Sequence, residues 1–128
     1  MGELTDATKV RTILGITSKD ISDTDLDVLI SFEEAELKQI VTNSGASIDS
    51  SDTLLQKAAT YKVAEKVLLR LFVSEGNQIR LGNMVLSRER FEDLRNSIRR
   101  EYKSALAQYL RKKGVFEPWK LGYKVEAE

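Results

Sequence analysis

Apolar positions recur at spacings of three and four in four stretches of the chain, each opened by small polar residues and closed by glycine or a polar break. Thr5 can cap a short first helix in which Val10, Ile13 and Leu14 share a face before Gly15 ends it. Ser22-Asp23-Thr24-Asp25 then sets a capping hydroxyl and acids at the positive end of a second helix. Leu26, Leu29, Ile30, Leu37, Ile40 and Val41 mark its inner face, Glu33, Glu34 and Glu36 are expected largely on other faces, and Asn43-Ser44-Gly45 supplies the stop. After a small-residue loop, Ser51 or Asp52 caps a third helix whose apolar positions from Leu54 to Phe72 cover more than one stripe. That breadth predicts a central helix touched from several sides. Ser87 opens a fourth, on which Phe91, Leu94, Ile98, Tyr102, Ala105, Leu106 and Tyr109 form one face until Gly114. At roughly 26 residues it spans about 39 Å.

Between the third and fourth helices the period changes to two. Gly82-Asn83 can occupy a two-residue hairpin turn, which sets Leu81 opposite Met84 and Ile79 opposite Leu86, all on one face of a ribbon. A two-stranded ribbon is marginal alone, so this face needs a helix or a neighbouring chain. The expected fold is therefore all-α: a four-helix domain over residues 1–114 with a long C-terminal helix and a small β-hairpin before it. Residues 115–128 form an extended tail rich in aromatic residues, with Phe116, Pro118, Trp119 and Tyr123 available to anchor a partner or to cover the chain's own domain.

The 128 residues suit one core, and 41% apolar with 31% charged residues suits a folded domain. With neither cysteine nor histidine, disulfides, thiolate metal sites and histidine-based triads are excluded, and no cofactor is expected. The N-terminus lacks the basic start and apolar run of a signal peptide and no stretch is apolar enough for a membrane span, so a cytoplasmic origin without membrane attachment is expected. Asp20, Asp23, Asp25 and Asp27 lack the central glycine and closing glutamate of a calcium loop and read as capping and dipole residues. Glu33, Glu34 and Glu36 have no paired constellation and read as surface residues.

Zero net charge conceals an asymmetry. Residues 1–56 hold eleven acids and four bases, residues 57–113 six acids and fourteen bases, and the remainder contributes −1. Such polarity can serve folding, self-association or steering of a partner. On the fourth helix Arg88, Arg95, Arg99 and Lys103 form a row that can meet phosphates or acidic neighbours. Glu92 lies among them, and the acidic second helix offers internal partners.

Three places, in order, carry a family likeness: Val10-Arg11-Thr12-Ile13-Leu14-Gly15-Ile16 followed by Ser22-Asp23-Thr24-Asp25-Leu26 and the helix with Ala35; the helix from Ala58 to Leu69; and Ile79 to Ser87 leading into the last helix. This succession, over residues 5–113, resembles the head-tail connector family of tailed phages, the head-completion adaptors. The resemblance implies a non-enzymatic virion protein that forms a ring of about a dozen copies between portal and tail. Its partners would be itself, the portal protein, the next head-completion or tail protein, and DNA passing through the channel without sequence recognition. Ile79, Leu81, Met84, Leu86, Arg88, Arg95 and Arg99 are the candidate subunit contacts, and Phe116, Pro118, Trp119 and Tyr123 the candidate portal or partner contacts. The alternative is a nucleic-acid-binding regulator using the basic fourth helix. A third reading, an enzyme or its accessory subunit, lacks convergent titratable groups.

Overall fold

A computed structural model of the chain describes residues 3–71, 73–75, 78–81 and 84–115. Each helix begins where a side-chain oxygen meets an otherwise unpaired backbone N–H. Helix α1 (Ala7–Leu14) is capped by Asp6, whose carboxylate accepts from Lys9 N at 2.9 Å, and not by Thr5 as the sequence suggested. Thr5 is buried and its own N–H points elsewhere. Gly15 closes α1 at φ 70°, which glycine reaches without steric cost. Its N–H and that of Ile16 return to α1 carbonyls, the paired closure that satisfies the last turn.

Helix α2 (Asp23–Asn43) starts at Ser22, whose hydroxyl accepts from Asp25 N. Asp23 and Asp25 in its first turn complement the helix dipole. Helix α3 (Thr53–Leu71) follows Asp52, whose carboxylate accepts from Leu54 N at 2.8 Å. Helix α4 (Arg88–Lys112) starts at Ser87, which accepts from Arg90 N, and its 25 residues reach about 38 Å.

Between α3 and α4 lie β1 (Val73–Glu75), β2 (Gln78–Leu81) and β3 (Met84–Ser87), an antiparallel sheet in the order β1-β2-β3. Ile79 is paired with Leu86 and Leu81 with Met84. The sequence predicted a ribbon of two strands and missed β1, a stretch too short to show a period. The Gly82-Asn83 turn lies outside the described residues. Since β2 approaches both α3 and α4, the chain's own helices are neighbours of the sheet.

The class is all-α, because the helices supply the core. Helix α3 packs on α1, α2 and α4, the central position its broad apolar surface predicted. One apolar cluster joins α1 and the first half of α2 to the second half of α3 and the start of α4, through Val10, Leu26, Ile30, Val67, Leu68 and Phe91. A second joins Leu4, Leu37, Val41, Leu55, Leu106 and Tyr109. Helix α3 therefore runs antiparallel to both α2 and α4. Val115, assigned from sequence to the tail, packs into the second cluster and donates its N–H to Leu110 O at 2.8 Å.

Candidate interaction surfaces

A polar layer separates the two apolar clusters, and Glu34 is its centre. Contrary to its reading as a surface residue, Glu34 is only 5% exposed. It falls on the inward stripe Leu26, Ile30, Glu34, Leu37, Val41. Its carboxylate accepts from the backbone N–H groups of Glu3 (3.0 Å), Leu4 (3.0 Å) and Thr5 (2.8 Å). Burying a carboxylate is costly unless it is hydrogen-bonded, and these three donors meet that requirement while fastening the N-terminal strand of chain to α2. Beside it the Thr60 hydroxyl donates to Thr5 Oγ1 at 2.7 Å, in a buried contact between α3 and the same segment.

At the edge of this layer Lys62 of α3 bridges Glu33 (3.1 Å) and Glu36 of α2 and lies 5.7 Å from the centre of the Tyr102 ring. Burial alone pulls the Lys62 amine down, but its hydrogen bonds and the charges of Glu36 and Glu33 outweigh this and hold it above the ordinary lysine value. The Lys62 hydrogen bond in turn holds Glu36 below the ordinary glutamate value. A lysine stabilised as the ammonium is a poor nucleophile or base at neutral pH. Lys62 is thus suited to joining helices.

Two arginines of the basic row have a partner other than the expected one. Arg95 and Arg99 converge on Glu65 of α3, at 3.6 and 2.6 Å, and not on the acidic second helix. The acids of α2 are met from other directions: Asp23 by Arg11 (2.7 Å), Asp25 by Arg70 (3.6 Å), Glu33 and Glu36 by Lys62. Lys103 is half-buried and Arg88 is exposed next to the Ser87 cap. At the opposite end of α4, the Tyr109 hydroxyl donates to Ser47 O (2.6 Å) and accepts from Asp49 N (2.9 Å), pinning the loop before α3. Burial pushes the Tyr109 phenol above its ordinary value. Nearby, Lys112 meets Asp52 at 2.6 Å.

The sequence did not single out the outward face of α2. Phe32 is 70% exposed and Val28, one turn earlier, 49%. Along the same side Val28, Ser31, Phe32, Ala35, Gln39 and Thr42 are all exposed and none is charged. A large aromatic off the core stripe was the signal available in the sequence. Two open grooves flank α1 on another part of the molecule. One, of about 340 Å³, is lined by Lys9, Thr12 and Ile13 of α1 and Lys57, Thr60 and Tyr61 of α3; the other runs past Thr12, Ile13 and Gly15 to Arg90, Asp93 and Leu94 of α4. No α2 residue lines either groove.

Of the expected contact residues, Ile79, Leu81, Met84 and Leu86 are placed by backbone pairing, while their side chains lie outside what is described. Phe116, Pro118, Trp119 and Tyr123 lie outside the described residues. Among the described residues no group of three or more acidic side chains is placed to hold a metal ion, and no helix is long and apolar enough to cross a membrane. No protein-family model, no curated protein and no solved structure matches the chain.

Proposed function

We propose that this protein is a non-enzymatic virion component, a head-tail connector that forms a ring of about a dozen copies between portal and tail and extends the DNA channel after packaging. The observation that carries this reading is the order of elements: a short glycine-closed helix, an acid-capped helix, a central helix, and a small sheet leading directly into a long final helix. That is the succession in which the sequence resembles the connector family. The exposed uncharged strip on α2 and the open grooves beside α1 add surfaces of the kind that assembly uses.

The mechanism is one of shape and charge. A ring closes when one patch of each copy binds a different patch of the next, and the acidic first half and basic second half of the chain favour such unlike contacts. In this reading the β2–β3 ribbon with Ile79, Leu81, Met84 and Leu86 contributes to subunit contacts together with Arg88, Arg95 and Arg99. The aromatic tail with Phe116, Pro118, Trp119 and Tyr123 reaches the portal, while the next head-completion or tail protein docks on the other side. DNA passes through without sequence recognition.

A nucleic-acid-binding regulator using α4 draws less support, because two arginines of its basic row are engaged by Glu65 within the chain. Cryo-microscopy of particles from cells that express the protein tests the proposal: density for a ring of this fold is expected at the portal vertex. Particles complete at that vertex without this chain would overturn it. Steeply salt-dependent binding to free duplex DNA would favour the regulator instead.

A further inference from the structure

Resting on the connector reading, we infer that the outward face of α2 is one half of the contact between neighbouring copies, and that the α1-flanking groove of a second copy is the other half. Phe32 and Val28 project an apolar knob from α2, with the exposed carboxylates of Asp25 and Glu36 on the same side of the helix. Exposing a phenylalanine this fully has an unfavourable hydration free energy that association removes.

Charge selects the occupant. Of the seven acids between Asp20 and Leu37, where there is no lysine or arginine, Glu34 and Glu33 are largely buried, while Asp23, Asp25 and Glu36 keep most of their side chains exposed. Two such faces brought together would repel, which disfavours a symmetric knob-to-knob dimer. The groove between α1 and α3 has the opposite character. Ile13 and Tyr61 give it an apolar floor, and Lys9 and Lys57, the latter paired with Glu101 at 3.0 Å, are the charged residues of its lining. The adjoining groove adds Leu94 and Arg90, with Asp93 as its one acid. Knob and groove stand on different elements of the same copy. Each copy can therefore give its knob to one neighbour and receive a knob from the other, the unlike pairing that closes rings.

The absence of cysteine makes the test direct. Single variants Phe32→Cys and Thr12→Cys, the latter at a position lining both grooves, are mixed and oxidised gently. Several-fold more mixed dimer is expected than from Phe32→Cys mixed with Gln108→Cys, an exposed position on α4 several turns beyond the groove lining. One chain carrying both Phe32→Cys and Thr12→Cys should give a ladder of cross-linked oligomers. Mixed dimer no more abundant than in the control, or a predominance of Phe32–Phe32 dimers, overturns the inference.

Phe32→Asp, its fold checked by circular dichroism, should weaken self-association by about tenfold or more, as loss of an aromatic anchor does. Unchanged association of this variant also overturns the inference. Failure here is distinguishable from failure of the connector reading. If wild-type protein still joins portal complexes in several copies while the cross-links fail, only this contact is wrong; if wild type joins no portal complex, the ring itself is wrong.

Discussion

Replacing Glu34 by alanine should be among the most damaging changes to this fold. Its carboxylate satisfies three backbone N–H groups, and those of Leu4 and Thr5 are buried. Leaving two buried donors unpaired costs roughly 1–3 kcal/mol each. The N-terminal segment can avoid that cost only by detaching, which forfeits the burial of Leu4, 2% exposed, a loss of roughly 1.5–3 kcal/mol beyond the hydrogen bonds themselves. Either route gives about 2–6 kcal/mol, a large part of the stability of a domain this size. Glu34→Gln keeps one acceptor oxygen and should cost about half as much. Urea unfolding followed by far-ultraviolet circular dichroism reads both values. The clamp also predicts non-additivity: in a chain lacking residues 1–5 the donors are gone, so Glu34→Ala should there cost much less than in the full chain. A cost below about 1 kcal/mol in the full chain, or additive costs, would refute the reasoning.

Tyr109→Phe removes one hydroxyl that bridges Ser47 O and Asp49 N, and should cost roughly 1–3 kcal/mol in the same assay; a neutral result would mean that the loop is held by other contacts. Acid should destabilise the fold through its paired carboxylates. Hydrogen bonds from Lys62 and Lys112 hold Glu36 and Asp52 below their ordinary values of 4.5 and 3.8, so the unfolded chain takes up protons first. Their contribution is whole above the ordinary values and is lost as pH falls through the depressed ones. Urea midpoints should thus decline below about pH 4.5, and Lys62→Met should remove the Glu36 share. Midpoints unchanged down to pH 3 in the wild type would contradict this.

Much of the fold was legible because local signals agreed. The hydroxyls of Ser22 and Ser87, the left-handed Gly15 and the three- and four-residue apolar spacing are properties of neighbouring residues, and they placed α2 and α4 nearly to the residue. The breadth of apolar positions on α3 identified the central helix in the same way. Signals within one turn of each other were harder to rank. Thr5 and Asp6 can both cap α1, and the choice went to Asp6 because Thr5 is held by Glu34 and Thr60, residues remote in sequence.

The candidate surfaces were less legible, for the same physical reason. Charge counts showed an acidic first half and a basic second half, but not that Arg95 and Arg99 would converge on Glu65 of the helix beside them. Glu34 lies four residues after Ile30 and three before Leu37, so spacing alone could have placed it inward. Its chemistry argued for the surface, and only the backbone donors of residues 3–5 explain why a carboxylate stays there. Phe32 is the converse case, a residue whose chemistry argues for the core on a face that packing leaves open.

By itself, then, the sequence determined where helices begin, end and turn their apolar faces, since those depend on the chain within a few residues. The tertiary structure alone decided which charges pair, which carboxylate is buried and which aromatic is left outside. Those outcomes depend on how α1, α2 and α4 dock around α3, and docking brings together groups that no local pattern connects.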